Sequence, residues 1–478
     1  MQVIAALKGF FSVDRMLRQE ERMGEIPTSR EAYRDLWRIA WPSIIEMVFM
    51  SLIGSVDTVM VGDLGHEAVA AVGLTGQPRM LMMSIFFALN VGVVAIVARR
   101  KGQGLVKEAR QTLQNALVLG MGIVIVMMVI SIVFCRPLLL LVGANSDTID
   151  MASSYFRIMA WFMPVNVLTI CINGAQRGTG NTKITLYTNL VANIVNIIFD
   201  YMLIYGRCGF PALGVAGDAY ASGIGLCAGL AVAVYSLYSK KNGDAFLRIS
   251  IKDSWKPKKE IMQSLARVGG NAMVEQIALR VGFLTYAIII GRFATEVQSA
   301  HHAVANFLSI SFSFGDGLAV AGTALVGQML GRQRQDLAMI YGKCSQRLAM
   351  IAGVTLAIFF FCFRYPFVAL IIKTSDANNM PSYDIAVKLM IMLTLFQPLQ
   401  VPSVVTAGCL RGAGDNLYVA MTMIICVTGV RIALASTAVF LLGLGVYGAW
   451  GASVIDTGIR LTLVLRRFTR GKWRDMKV

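Results

Sequence analysis

The sequence predicts an all-α membrane protein with twelve transmembrane helices in two six-helix lobes, and three observations support this fold class. Hydrophobic residues make up 56% of the 478-residue chain and charged residues only 15%, whereas soluble domains contain about 25% charged residues. The apolar residues form runs of about 20 or more, which can cross a hydrocarbon core of about 30 Å as helices. The motifs of the first half of the chain return in the second half.

Each apolar run is expected to be a helix, because backbone polar groups in lipid must be hydrogen-bonded within the protein. Nothing in the sequence resembles the alternation of a transmembrane β-barrel, which repeats over about ten residues. The twelve predicted spans are residues 36–61, 66–97, 111–135, 151–174, 184–206, 214–238, 264–291, 297–328, 343–372, 383–408, 416–442 and 445–467.

The net charge of +17 is interpreted as an orientation signal. With a cytoplasmic N-terminus, the twelve spans leave 34 of the 44 Lys and Arg residues in cytoplasmic segments, as the positive-inside rule requires. Both termini are therefore predicted in the cytoplasm, with the basic clusters facing anionic lipid and not nucleic acid. Trp255 and Trp473 lie among these basic residues and are predicted to be membrane-interface anchors.

The predicted domains follow from these spans. Thr28 and Glu31 have the spacing of a helix-capping box, which favours a short helical lead-in to the first span. The eight cysteines are scattered singly and indicate neither a disulfide framework nor a metal site. The predicted domains are an amphipathic segment at 1–35, an N-terminal lobe at 36–238, a cytoplasmic linker at 239–263, a C-terminal lobe at 264–467 and a basic tail at 468–478.

An internal repeat organises the chain. The pattern G-x-x-R-G-x-G ends at Gly180 and returns 234 residues later, ending at Gly414. Glu46 is matched by Glu275 at an offset of 229. Because each half holds an even number of spans, the two repeats are parallel, as in one class of transporters that work by alternating access.

Five residues are predicted hinge or turn positions. Pro42 permits a bend in the first span, since its ring and missing N–H disturb the helix. The other four are the glycines of the two repeated motifs, predicted to adopt positive φ in tight turns. They are Gly178, Gly180, Gly412 and Gly414.

Ionisable residues inside the spans are functional candidates, because a charge there is costly. Asp57 lies in the first span, and Asn196 and Asp200 share one face of the fifth span, with Asn193 a turn earlier. Their oxygens would form a pocket for a proton or for a hard cation such as Na⁺. Asp218 in the sixth span is a further candidate.

The acidic cluster belongs to the first half only. At the repeat-matched positions of the second half, the acids Asp57, Asp200 and Asp218 are replaced by uncharged residues, and so is the amide Asn196. The matched residues are Tyr286, Leu434, Ala449 and Val430, respectively. Duplication alone does not explain this asymmetry, which favours a cation site in the first half.

The chain resembles the multidrug and toxic compound extrusion (MATE) transporters over nearly its whole length. The resemblance rests on the two six-helix halves, the segment VDTVMVGDLG at 56–65, the paired G-x-x-R-G-x-G motifs and the GVxG motifs of the sixth helices. It implies an antiporter that exports organic, often cationic, compounds in exchange for inward H⁺ or Na⁺. In one branch of the family, the cation-site motifs fall on Asp57, Asn196 and Asp200.

Another branch of the family uses a Glu in helix 7 and an Asp in helix 10. Glu275 matches the first of these, but Gln400 stands where the Asp is expected. The sequence therefore leaves open a second cation site. Glu46, Glu275, Arg280 and Gln400 are substrate-cavity candidates, and an ion pair between Glu275 and Arg280 is the structural alternative.

The function predicted is thus ion-coupled multidrug efflux and not enzymatic catalysis. The expected partners are small organic substrates and the lipid bilayer, without nucleic acid, cofactor or metal beyond the coupling ion, and the chain is expected to be a monomer in a bacterial inner membrane. Two alternatives stay open, a lipid-linked or polysaccharide flippase and an exporter of one dedicated metabolite. A major-facilitator carrier is disfavoured, because residues 99–110 lack its G-x-x-x-D-R pattern.

Overall fold

The computed structural model describes residues 10–238, 245–248, 255–372, 379–474 and 476. The side chains of residues 52–59, 66 and 245 are outside the described set. Within the described ranges the chain forms twelve long helices in the predicted order. They are α1 (Ser29–Gly62), α2 (His66–Gly102), α3 (Val106–Val133), α4 (Ile149–Gly178), α5 (Thr182–Tyr205), α6 (Val215–Tyr238), α7 (Lys259–Ile290), α8 (Thr295–Gly331), α9 (Gln335–Cys362), α10 (Met380–Ala413), α11 (Asn416–Leu441) and α12 (Gly445–Thr469).

Ten of these helices, α2 to α11, are long and apolar enough to span a membrane by length and composition. The remaining two, α1 and α12, have 34 and 25 residues, which is also long enough to cross a hydrocarbon core of about 30 Å. The predicted all-α fold with twelve long helices is confirmed.

The repeat is visible in the helices themselves. In each half the second helix has 37 residues and the third has 28. A short helix follows the third helix in both halves, Cys135–Leu141 and Arg364–Ile371. The starts of these short helices are 229 residues apart, which is the offset that the sequence repeat gives near the start of each half.

Several helices are longer than the membrane is thick. Helices α1, α2, α8 and α10 have 34 to 37 residues, which corresponds to about 51–56 Å. Basic residues that the sequence assigned to cytoplasmic segments therefore lie on helices, for example Arg99 at the end of α2 and Arg411 near the end of α10. Such helices can hold an arginine against the protein interior.

Helix α11 is not uniform. Its segments Ile424–Val430 and Thr437–Leu441 are π-helical and flank an α-helical segment, Arg431–Ser436. The corresponding helix of the first half, α5, is α-helical throughout. Since π-helical turns are rare and frequently lie at functional sites, α11 and α5 are not equivalent in local structure.

The chain divides into two compact units. The N unit comprises residues 45–273, and the C unit comprises residues 1–44 and 274–477. The boundary falls inside α1 and inside α7, at positions separated by the repeat offset of 229. Pro42 lies just before the boundary in α1, and the helix is continuous through it. The predicted lobes at 36–238 and 264–467 stay a prediction.

The beginnings of α1 and α7 pack tightly in their own units. In the C unit, a Cβ added at Gly317 of α8 would lie 2.6 Å from the Cα of Ile44 in α1. In the N unit, Gly92 of α2 faces the backbone carbonyl of Leu265 in α7, with 3.4 Å between an added Cβ and that oxygen. Small residues allow both close helix contacts, as is typical of membrane helices.

The N-terminal segment and the tail also belong to the C unit. Val13, Met16 and Leu17 are buried, and the predicted capping box is present, with the Thr28 amide donating to Glu31 Oε2 at 3.0 Å. The prediction for Trp473 is wrong. Its ring is fully buried and stacked on Phe468 with ring centres 4.8 Å apart, because the chain turns back after α12, whereas Trp255 is exposed as an anchor would be.

The motif glycines divide into two kinds. Gly180 and Gly414 have φ values of 81° and 94° and form the left-handed turns that were predicted. Gly178 and Gly412 do not, and the prediction of positive φ is wrong for them. They lie in the helices where another backbone approaches, since an added Cβ would be 2.8 Å from the Val94 carbonyl oxygen at Gly178 and 2.2 Å from the Thr323 carbonyl oxygen at Gly412.

Candidate functional site

Helices α1 and α5 are tied together at two levels in the N unit. Near the beginning of both helices, Glu46 accepts hydrogen bonds from Thr185, at 2.8 Å, and from Asn189. Near the end of both helices, the Tyr205 hydroxyl donates to Asp63 Oδ2 at 2.7 Å. Since beginning meets beginning and end meets end, the two helices run parallel in a fixed register.

This register puts the backbones of Asp57 and Asp200 at the same depth. Asp57 precedes Asp63 by six residues, about 9 Å along α1, and Asp200 precedes Tyr205 by five, about 7.5 Å along α5. The side chain of Asp57 is outside the described set, whereas that of Asp200 is fully buried. The two acids predicted to form one site therefore lie on neighbouring helices within about 2 Å of the same level.

Helix α6 completes the wall of this site. It approaches α5 closely, since a Cβ added at Gly225 would lie 2.5 Å from the Ala192 carbonyl oxygen and one at Gly217 the same distance from that of Leu203. The contact lets the amide of Asn196 donate to the Ser222 hydroxyl at 3.3 Å. Asp218, at the beginning of α6, is buried to 99% of its surface.

A cavity of about 320 Å³ opens beside these residues within the N unit. Asn193 and Asn196 line it from α5, Ser222 from α6 and Asn166 from α4. Asp200, one turn beyond Asn196, is not among the lining residues. The remaining wall is largely soft and apolar, formed by Met50, Met80, Met83, Met159, Phe87 and Tyr155.

Glu46 and Glu275 have repeat-related partners. Arg177 donates to Glu46, and Arg411 donates to Glu275. Both arginines come from the G-x-x-R-G-x-G motif, so the motif supplies the counter-charge to the first helix of its own half. The alternative pairing of Glu275 with Arg280 is wrong, because the long helix α10 brings Arg411 to Glu275. Neither glutamate lines the cavity of the N unit.

In the C unit, the region around Gln400 contains arginines instead of acids. Arg460 of α12 donates to Gln400 Oε1 of α10. One turn earlier on α12, Asp456 accepts from Arg431 of α11 at 3.1 Å. All four side chains are at least 96% buried. Two arginines and one aspartate give this cluster a net positive charge, the opposite of the acidic cluster in the N unit.

The sequence assigned Arg460 to the cytoplasmic segment after the last span, and that assignment is wrong. The residue lies about 22 Å along α12 from Gly445 and is 3% exposed. The signal that could have found it is the spacing of Asp456 and Arg460, which are four residues apart and share one helix face. Arg79 was also missed, although its position deep in the second span made it a candidate.

The chain matches known proteins over most of its length. The MatE family model matches twice, at residues 42–202 and 272–437, in agreement with the internal repeat. A protein from Thermotoga maritima named "Probable multidrug resistance protein NorM" is 26% identical, with 95% of each chain covered. An "Uncharacterized transporter YisQ" from Bacillus subtilis is 25% identical, with 92% of this chain and 94% of the relative covered.

Solved structures share the fold. One described as the outward-facing conformation of a multidrug resistance MATE family transporter of the MOP superfamily has a TM-score of 0.85, 21% identity, and coverage of 92% of this chain and 97% of that chain. A MOP superfamily transporter from Pyrococcus furiosus has the same TM-score at 20% identity, covering 93% and 97%. Since the family model covers more than half of the chain, the protein is a member of the MATE family of multi-pass membrane transporters.

Proposed function

We propose that this protein is a secondary active multidrug efflux antiporter, exporting organic compounds in exchange for inward H⁺ or Na⁺ in a bacterial inner membrane, with both termini in the cytoplasm. The observation that carries the proposal is the fixed register of α1 and α5. It gives Asp57 and Asp200 one depth, next to a cavity lined by Asn193 and Asn196. The names of relatives that cover most of the chain support efflux as the transport activity.

The coupling ion is proposed to bind at Asp57, Asp200 and Asn196, with Asn193 and Asp218 as further ligands. Carboxylate and amide oxygens suit both a proton and Na⁺. A charge inside the bilayer is costly unless it is neutralised, so an arriving cation stabilises the buried carboxylate. Because Asn196 faces both this group of residues and the cavity, ion binding changes the cavity wall and competes with the substrate.

The driving force is sufficient for such an exchange. One elementary charge moving inward across 100 mV supplies about 2.3 kcal/mol. A tenfold concentration gradient of the substrate costs about 1.4 kcal/mol. A single coupling ion can therefore sustain more than a tenfold substrate gradient.

The proposal is tested with the purified full-length protein in proteoliposomes, using a cationic dye as the substrate. Na⁺ and pH gradients are imposed separately, and dye transport is followed by fluorescence. Asp57→Asn and Asp200→Asn are each expected to reduce the gradient-driven transport rate at least tenfold, because the asparagine amide cannot exchange a proton and holds a cation weakly. One of the two gradients is expected to drive the wild type.

The matched control is Asp384→Asn, which makes the same chemical change at an exposed position on α10. Gln400→Ala is a second control in the C unit. Both are expected to transport within twofold of the wild type. Unchanged gradient-driven transport in both Asp57→Asn and Asp200→Asn would refute the coupling site, and a total loss in Gln400→Ala would move that site to the C unit.

The flippase alternative is separated by a second assay on the same vesicles. A fluorescent phospholipid in the inner leaflet becomes accessible to an external quencher only if the protein moves lipid. We expect no acceleration over empty vesicles. Accelerated lipid movement without ion-driven dye transport would favour the flippase, and transport of one compound from a broad panel would favour a dedicated exporter.

A further inference from the structure

The cavity of the N unit contains a guanidinium group that the coupling mechanism does not use. Arg79 of α2 lines the cavity together with Asn166, Asn193, Asn196 and Ser222. The four polar companions are uncharged, so Arg79 is the one charged side chain among the described residues that line the cavity. Arg79 makes no hydrogen bond or ion pair with a residue in the described part of the chain.

The depth of Arg79 makes this arrangement costly. The residue is 13 positions beyond His66, the first residue of α2, which is about 20 Å along the helix axis. A cation at that depth is normally paired or faces a water-filled cavity, and such residues mark a substrate or ion path. The side chain is partly exposed, and its surface borders the cavity.

The other arginines of the N-unit interior are arranged differently. Arg177, also partly buried, is satisfied by Glu46, which supplies a full counter-charge. Arg79 has only amide and hydroxyl groups among the polar residues around the same cavity. A guanidinium pairs most strongly with a carboxylate or phosphate, through two parallel hydrogen bonds. The missing counter-charge can be supplied by a ligand that enters the cavity.

We propose that Arg79 is a specificity-determining residue that binds a carboxylate group of the substrate. This rests on the proposed efflux function and assigns a substrate class to its cavity: amphiphilic compounds with one carboxylate, zwitterions included, and not cations alone. The carboxylate pairs with Arg79, while the apolar body contacts the four methionines and Phe87. Flexible thioether side chains adapt to different aromatic bodies, so the carboxylate fixes the orientation and the methionines accept variation.

The test uses two dyes that differ only in the carboxyl group, rhodamine B with a free carboxylate and its ethyl ester. Equilibrium binding to the purified full-length protein in detergent is measured by fluorescence anisotropy, without an ion gradient. The wild type is expected to bind the acid at least tenfold more tightly than the ester. Arg79→Gln is expected to weaken binding of the acid about tenfold and to leave the ester within twofold, whereas Arg79→Lys retains part of the preference.

Arg157→Gln is the matched control. It removes the same charge from an exposed position on α4, the helix that also contributes Tyr155 and Met159 to the cavity. We expect it to keep the full preference for the acid. Equal binding of both dyes by the wild type overturns the proposal, and so does an equal loss of both in Arg79→Gln. The wild-type comparison needs no variant and decides the question even if Arg79→Gln does not fold.

This result is independent of the antiport mechanism. A preference for the acid that disappears in Arg79→Gln supports the role of Arg79 even if neither gradient drives transport, and in that case only the proposed antiport is wrong. Conversely, ion-driven transport of both dyes at equal affinity supports antiport and rejects the carboxylate role of Arg79.

Discussion

Glu46 and Arg177 form one buried contact that includes two further donors, Thr185 and Asn189. The glutamate side chain is completely buried and the arginine is 14% exposed. A buried ion pair adds little stability relative to a well-packed apolar pair, but removing one partner leaves an uncompensated charge. The pair is therefore a positional constraint, and it holds α1 in register with α5.

This constraint gives a prediction at the residue scale. Glu46→Ala is expected to lower the free energy of unfolding by about 3–5 kcal/mol, because Arg177 stays charged without its partner. The double variant Glu46→Gln with Arg177→Met is expected to recover at least half of that loss. Thermal unfolding of the detergent-solubilised protein, followed by tryptophan fluorescence, measures both.

The repeat supplies the control for this experiment. Glu275 and Arg411 make the same ion pair in the C unit, so Glu275→Ala is expected to destabilise the protein to a similar extent. A double variant that is as unstable as the two single losses added together would show that the charges do not act as a pair.

At the scale of helices, close backbone approaches fix the geometry around the motif glycines. The Gly412 position in α10 faces the carbonyl group of Thr323 in α8. Gly412→Ala is expected to lower the free energy of unfolding by about 1–3 kcal/mol, because the added methyl group must push the helices apart. Unfolding in detergent, monitored by circular dichroism, measures the change.

Gly122 in the interior of α3 is the matched position. An added Cβ there meets no atom within 4 Å, so Gly122→Ala is expected to stabilise the protein by about 0.5–1 kcal/mol through helix propensity. If both variants behaved alike, the close contact at Gly412 would have no energetic role.

The N-terminal segment is held in the C unit partly by charge. Burial alone raises the pKa of Glu21, but the Arg18 amide and the Arg474 guanidinium bond its carboxylate and hold the pKa below its usual value of 4.5. Because the pKa is lowered in the folded state, the stabilisation is present above pH 4.5 and is lost as the pH falls below it. Arg334 adds a contact in the same segment by donating to the Glu25 carbonyl at 2.7 Å.

This gives a pH prediction for the segment. Hydrogen exchange at the amides of residues 18–22 is expected to increase, relative to the intrinsic rate, when the pH falls from 7 to 4. Since Glu21 is exposed to 40%, the change is modest and screened by salt. Glu21→Gln is expected to exchange at neutral pH as the wild type does at pH 4. An unchanged exchange profile in Glu21→Gln would assign the anchoring to Val13 and Met16 alone.

For the whole molecule, the parts of the fold predicted from the sequence are those set by hydrophobic length and by duplication. The twelve helices follow from apolar runs, and the equivalence of α3 and α9 follows from the repeat offset. The grouping of Asn196 with Ser222 across α5 and α6 could not be predicted, because it depends on how closely Gly225 lets the helices approach. The coupling roles of Asp57 and Asp200 stay a prediction.

The errors have a common physical origin. Hydropathy marks the apolar part of a helix, whereas helices such as α10 and α12 continue beyond it and carry Arg411 and Arg460 against the interior. The pairing of Glu275 with Arg280 was suggested by sequence proximity, but residues 136 positions apart make the actual contact. Arg79 could have been found by applying to basic residues the rule that was applied to acidic ones.

The unit boundary inside α1 and α7 affects the order in which the protein can be made. Ile44 packs against Gly317, which leaves the ribosome about 270 residues later. At roughly 5–20 residues per second, the beginning of α1 waits about 14–55 seconds for its packing partner. The N unit, in contrast, becomes complete as soon as the first turns of α7 emerge. During that interval the newly made first helix must be kept in the membrane by lipid or by the insertion machinery, since the C unit that will hold it does not yet exist.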